Sequence, residues 1–335
     1  MSKPLLFVLS SLVLAAPTMA ASPVPVNSDN FARAESDLYF ANTIARYGLG
    51  KLGHERAMAP IEAQPIIRLN RDTLYSGGVF DLDAGPVTLT LPDPDKRFLS
   101  LQIIDEDHYT HGVHYGGGVH TLTRKDIGTR YVFVGIRTLA NPNDAADLAK
   151  VHSLQDAMKV EQVGAGNFEA PAWDAASRDK TRTLLLGLAA LLPDTRGMFG
   201  ARGQVDPVRH LIGSAMGWGG NPETEALYLN RTAPRNDGRT VYRVKVAKVP
   251  IEGFWSITIY NAKGYMEPNK YNAYTLNNLT ARQDGDGAVT VQFGGCEDTT
   301  PNCLPVPDGW NWMVAFIDRS RRSSTEAGNS PTWMK

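Results

Sequence analysis

The chain has 335 residues, 42% hydrophobic and 21% charged, with a formal net charge of −1. This is ordinary globular composition, long enough for two domains or for one large sandwich with insertions. A near-neutral balance argues against a dominant binder of phosphate backbones, which needs a basic surface to release counterions, so no nucleic acid partner is expected.

Residues 1–20 read as a signal peptide. Lys3 supplies a short positive start, and Leu5 to Ala16 is an apolar run too short to span a bilayer comfortably. Pro17-Thr18-Met19-Ala20 then offers small residues ahead of a cut at Ala21. The protein is therefore expected to be periplasmic or secreted, with no stable membrane insertion, since no later segment is apolar enough to cross. In such an oxidising compartment Cys296 and Cys303 are expected to form a disulfide closing a small loop.

Ser28 can cap a helix running through Phe31, Leu38, Ile44 and Tyr47 to Gly48. An apolar strand is expected at 65–69, ahead of Asn70-Arg71-Asp72-Thr73-Leu74-Tyr75-Ser76. Further strands are expected at Val79 to Leu82, Val87 to Leu91, Phe98 to Ile104 and Tyr131 to Ile136. Short strands punctuated by Gly and Pro signal a sandwich or jelly roll. The middle is helical in pattern: one helix from Asn141 through Met158, one over Thr183 to Leu192, and one opened by Asp206-Pro207 and ended near Gly217. Strands return at Val241 to Val246, Phe254 to Tyr260, Tyr271 to Leu276, Val289 to Phe293 and Trp312 to Ile317. The expected fold is mixed α/β, mainly β: two jelly-roll-like β-sandwich regions joined by a helical segment. The expected boundaries are 21–180, a helical connector over 181–235, and 236–335.

Several motifs in this order carry a resemblance. Asn70 to Ser76, the Phe98 to His108 strand, Arg137-Thr138-Leu139 and His152 to Asp156 are similar to the bacterial domain of unknown function numbered 1254. Gly253-Phe254-Trp255-Ser256, Tyr260, Asn277 and Asn302-Cys303-Leu304-Pro305 resemble its usual companion, the domain of unknown function numbered 1214. The resemblance covers almost the whole chain after residue 20. It implies a β-sandwich of jelly-roll character in each half, and it supplies no reaction. Many members have tryptophan where this chain has Cys303, so the cysteine pair marks a subgroup.

The densest chemistry lies between Arg97 and His120, which holds four of the seven histidines. His114-Tyr115-Gly116-Gly117-Gly118-Val119-His120 is symmetric about Gly117. A hairpin with the three glycines at its tip sets His114 opposite His120, Cβ atoms ~5 Å apart, a separation that suits one divalent metal. A third ligand must come from elsewhere, with His152, His210 and Asp72 as candidates. The same stretch also reads as a polar pocket lined by Tyr109 and Tyr115, or as an inert surface hairpin. His108 is the candidate general base, with Asp72 or Asp105 to orient it, although Asp72 also suits an Asx-type turn. Asn70, Tyr75 and Trp218 complete the candidate ligand-binding set. No G-x-S-x-G is present, and Ser76 with His108 and Asp105 is only a formal triad.

Two functions follow. The first is a periplasmic or secreted protein that binds a small polar or aromatic ligand in a His/Tyr/Asp-lined pocket, with hydrolase or lyase chemistry, metal-dependent or not, if it is an enzyme. The second is a non-catalytic cell-envelope or assembly protein whose sandwiches serve homo-oligomer contacts.

Overall fold

The computed structural model describes residues 22–64, 68–247, 249 and 251–319. The expected signal peptide and positions 65–67 of the expected strand at 65–69 lie outside them. The fold is mixed α/β, mainly β, with several antiparallel sheets.

Helix α1 spans Phe31–Tyr47. Its N-cap is Asn30, not Ser28, and the Asn30 side chain does not cap. That carboxamide turns back on the lead-in, accepting from the Asn27 N–H (2.9 Å) and donating to the Pro25 carbonyl (3.1 Å). Gly48 ends the helix with a φ of 92°, a value that costs a Cβ-free residue little.

The strands that follow are β1 (Gly53–His54), β2 (Thr73–Asp81), β3 (Val87–Leu91), β4 (Leu99–Asp105), β5 (Thr110–Tyr115) and β6 (Gly118–Leu122). The short helix α2 (Arg124–Ile127), β7 (Tyr131–Leu139), α3 (Ala145–Ala157) and β8 (Lys159–Glu161) complete this half. They form one sheet in the order β1-β2-β7-β4-β5 and a second in the order β6-β3-β8. Leu99, Leu101 and Ile103 of β4 and Val132, Val134 and Ile136 of β7 meet Val87, Leu89 and Leu91 of β3 in one buried core. Each such side chain is worth roughly 1.5–3 kcal/mol when taken out of water.

The expected hairpin does not form. β5 pairs with β4 in the first sheet, whereas β6 pairs with β3 in the second. Gly116 and Gly118 take φ values of 78° and 152°, and the chain swings from one sheet to the other between them. A Cβ on Gly117 would stand 2.7 Å from the Pro92 carbonyl, so only glycine fits the crossing. β4 and β3 each have an edge to be covered, and each takes one arm.

Helices α4 (Ala175–Ala189) and α5 (Pro207–Met216) follow. Asp174 accepts from the Ser177 N–H and starts α4 well before the expected Thr183. Asp144, rather than Asn141, caps α3 through the Ala146 and Asp147 N–H groups. Asp206 caps α5 as its Asp-Pro opening predicts. The region expected to connect the two halves packs against α1, burying Phe31, Ala34, Leu185, Met198 and Ile212 together.

The second half comprises β9 (Ala226–Thr232), β10 (Tyr242–Val246), β11 (Ile251–Tyr260), β12 (Thr275–Asn277), β13 (Val289–Phe293), β14 (Cys303–Leu304) and β15 (Asn311–Arg319). Its sheets run β12-β11-β15-β9 and β10-β13-β14. β9 pairs with β15 from Ala226 onward, so this half begins ahead of the expected 236. The strand expected at Tyr271 to Leu276 shrinks to β12. Asn269 accepts from the Tyr271 and Ala273 N–H groups, and Asn272 has a φ of 50°, which bends that stretch into a turn.

β11 places the two halves. Trp255, Ile257 and Ile259 point into the second core. By strand alternation Phe254, Ser256, Thr258 and Tyr260 share the opposite face, and all four are buried. That face lies toward the first sheet, where Phe98 packs on Phe254 with ring centroids 5.0 Å apart.

Cys296 and Cys303 are joined, with Cα atoms 5.6 Å apart. They tie the loop after β13 to β14. Closing so short a loop removes roughly 2 kcal/mol of unfolded-state entropy. Replacing both cysteines with serine should lower the thermal midpoint by roughly 4 °C, read by circular dichroism.

Helix α1 carries two buried acids. Glu35 bonds Arg182 through one oxygen and leaves Oε1 without a partner, and burial pushes its carboxyl up to about 7. Asp37, which accepts from the Trp173 indole N–H at 2.7 Å, is pushed up to about 6 by the same desolvation. Both lie above their unfolded values, so between about pH 4 and about pH 7 the folded state binds more protons and stability falls as pH rises. The thermal midpoint should decline across that window, and Glu35→Gln should flatten the decline.

Candidate functional site

His108 sits at the β4–β5 turn with a φ of 68° and is fully buried. The Gly219 N–H donates to its Nε2 at 2.8 Å, which leaves the proton on Nδ1. Nδ1 lies 2.9 Å from the Ser214 hydroxyl, which in turn donates to the His210 carbonyl at 3.0 Å. The ring is stacked against His210 and Trp218. Burial, reinforced by the His210 ring, pulls it down to about 3. Both ring nitrogens are taken up by the fold, and no lone pair faces a substrate.

The other expected members of that site are also committed. Asp105 accepts from the Asp107 and Tyr109 N–H groups and from His111 Nε2, all at 2.9 Å, and so fastens the turn. Tyr109 stacks on His210 at 4.3 Å under the Arg202 guanidinium. Trp218 stacks on Tyr39 at 4.6 Å and donates to the Ser36 hydroxyl. Ser76 pairs with His54, not with His108, so the formal triad is not assembled.

Asp72 touches no histidine. It is fully buried, and it joins the two halves. Its Oδ1 accepts from Thr275 Oγ1 and Asn277 Nδ2, both at 2.9 Å, and its Oδ2 from Asn70 Nδ2 at 2.8 Å. Burial pushes its carboxyl up, opposed by hydrogen bonds from Asn277, Ser256 and Thr275 and by the charge of Arg137. The Asx-type turn here belongs to Asn70, whose Oδ1 accepts from the Asp72 N–H.

Arg137 lies near Asp72 in the seam between the sheets. Arg137 on β7 is directly opposite Tyr75 on β2. Its guanidinium lies 5.6 Å from the centroid of the Tyr75 ring and 5.8 Å from that of Phe254, with the Tyr228 hydroxyl as a hydrogen-bonding neighbour. Burial works against its charge, but Tyr75, Tyr228 and Asp72 outweigh that cost and hold it above its ordinary value. Among the described residues no carboxylate lies within ion-pair distance of Arg137. The next residues on that face, Gly77 and Gly135, oppose each other, and the Phe133 ring lies over both. Tyr75 and Tyr228 at the rim are each 39% exposed. Tyr260, deeper in, has Asp72, Arg68 and Tyr228 around it, and Arg68 Nη1 is buried without a partner. Tyr115 bridges the far side of the seam, donating to Glu225 at 2.9 Å.

His114 and His120 do meet, although no hairpin joins them: their ring centroids are 4.7 Å apart. His152 bonds the Arg56 carbonyl and His210 bonds the Asp107 and Met198 carbonyls, so neither joins them. Among the described residues no group of three or more His, Cys, Asp or Glu side chains is placed to hold a metal ion.

Sequence reasoning thus brings Asn70, Asp72 and Tyr75 to one place and misses Arg137, Tyr228, Phe254 and Asn277 as site residues. The signal was present in Phe254 to Tyr260, where Ser256, Thr258 and Tyr260 alternate with Trp255, Ile257 and Ile259. A strand whose second face is polar but buried must pack that face on another polar surface.

Residues 49–127 match the family model described as protein of unknown function DUF1254, and residues 225–318 match the one described as protein of unknown function DUF1214. The structure is similar to that of the VPA0106 protein from Vibrio parahaemolyticus, with a TM-score of 0.72 and 18% identity over 92% of this chain and 97% of that one. At that identity the likeness is one of fold. An uncharacterized protein from Burkholderia cenocepacia aligns with a TM-score of 0.48 and 13% identity over 87% of this chain and 84% of that one, which carries no argument. No curated protein matches the chain. The chain thus carries both the domain of unknown function 1254 and the domain of unknown function 1214, with Asp72 inside the first matched segment and its partners Thr275 and Asn277 inside the second.

Proposed function

We propose that this protein binds a small anionic ligand with a flat apolar part, an aromatic carboxylate being the simplest case, in the seam between its two β regions. The observation that supports it is Arg137: a half-buried guanidinium with no carboxylate within ion-pair distance among the described residues, set between the Tyr75 and Phe254 rings. A guanidinium presents paired N–H donors that match a carboxylate in two parallel bonds. Tyr75 and Tyr228 offer ring faces and hydroxyls at the rim. Reaction chemistry at this place would draw its acid or base from these tyrosines, since both nitrogens of His108 are occupied.

Export to the periplasm or medium is part of the same reading. It is supported by the sequence of residues 1–20 and by the Cys296–Cys303 disulfide. The reading of each half as a jelly-roll-like sandwich is supported by paired sheets around a shared core. Among the described residues no helix is long and apolar enough to cross a membrane.

Calorimetric titration with benzoate tests the ligand class, with inorganic phosphate alongside. Benzoate should bind, and Arg137→Gln should weaken it roughly 10- to 100-fold, as expected for a charge-assisted pair. Benzoate binding unchanged by Arg137→Gln, or no binding of either anion, would sink the proposal.

A further inference from the structure

The tripeptide Gly-Val-His occurs twice, as Gly112-Val113-His114 and as Gly118-Val119-His120. Each ring reclines over its own glycine. A Cβ built on Gly112 would lie 2.9 Å from His114 Nε2, and one on Gly118 would lie 3.5 Å from His120 Nε2. Gly112 is therefore what lets the His114 ring lie back along its strand, whereas at Gly118 the contact with His120 is an ordinary one.

The two units stand on different sheets. β5 is the edge strand of the first sheet and β6 the edge strand of the second. His114 is opposite Leu101 and His120 is opposite Leu89, two fully buried core residues. Directly opposed side chains lie on one face of a sheet. Both imidazoles therefore project toward the gap between the sheets, at the margin where the core meets solvent.

The His120 ring is not satisfied there. His120 Nε2 is buried with no hydrogen-bond partner, and the exposed His114 ring lies against it. A buried nitrogen without a partner costs free energy that an ordinary surface histidine does not pay. Two imidazoles sharing one ion at Zn–N distances of ~2.0–2.1 Å place their ring centroids roughly 4.5–5.2 Å apart. The observed 4.7 Å falls in that interval.

We propose that His114 and His120 form a two-imidazole clip for a divalent transition metal such as Zn²⁺ or Ni²⁺, which staples the two sheets of the N-terminal half across their open edge. Water completes the coordination, because among the described residues no third protein ligand is in place. Mg²⁺ and Ca²⁺ do not fit, since they select oxygen donors. The clip lies on the N-terminal half alone, so it is independent of the anion site in the seam.

Thermal unfolding of the purified protein, stripped with a chelator and then given excess Zn²⁺, Ni²⁺ or Mg²⁺, tests it. Zn²⁺ or Ni²⁺ should raise the midpoint by roughly 3–6 °C, and Mg²⁺ should leave it unchanged. His120→Gln should remove the rise. His114 is exposed, so His114→Gln should remove it too while leaving the metal-free midpoint in place. A rise that survives His114→Gln, or no rise with either transition metal, overturns the clip.

Discussion

The carboxylate of Asp72 is the interaction on which the arrangement of the two halves depends. It is buried where β2 begins, and its oxygens take hydrogen bonds from Thr275 and Asn277 of the other half. A buried carboxylate is tolerated only when its lone pairs are filled, and here no single half fills them. The first half supplies the acid and Asn70, and the second supplies the remaining donors. Tyr260 adds a bond to the Leu69 carbonyl at 3.1 Å, and Gln64 reaches the Met266 backbone from the other direction. These contacts set the distance between the sheets and so the width of the seam that holds Arg137.

Much of the fold was legible because it follows period-two and period-3.6 patterns. Val87 to Leu91, Phe98 to Ile104 and Val289 to Phe293 alternate or run apolar and become strands close to those bounds. Asp206-Pro207 opens a helix as its chemistry dictates. What was not legible depended on partners distant in sequence. The Gly116 to Gly118 run reads locally as a turn, yet β5 and β6 find better partners in β4 and β3. β9 carries only a weak pattern and is fixed by pairing with β15.

The site followed the same division. A cluster of acids and histidines in one short stretch suggests one site, but strand alternation and the sheet crossing distribute it among three environments. His108 enters the aromatic packing under Trp218, His111 pairs with Asp105, and His114 meets His120 at the open edge. Asn70, Asp72 and Tyr75 do lie at the candidate site, though for a reason that only the second half reveals. Arg137 was invisible as a site residue because an arginine on a strand face is usually solvated. Its significance comes from Tyr228 and Phe254, which lie far along the chain.

The central claim is that Asp72 and the second half act as one cooperative clasp framing the seam. A double-mutant cycle on stability with Asp72→Ala and Asn277→Ala measures it most directly. The account predicts a coupling energy of roughly 1–2 kcal/mol between the two positions. Additivity within about 0.3 kcal/mol would show that they act independently and would contradict it.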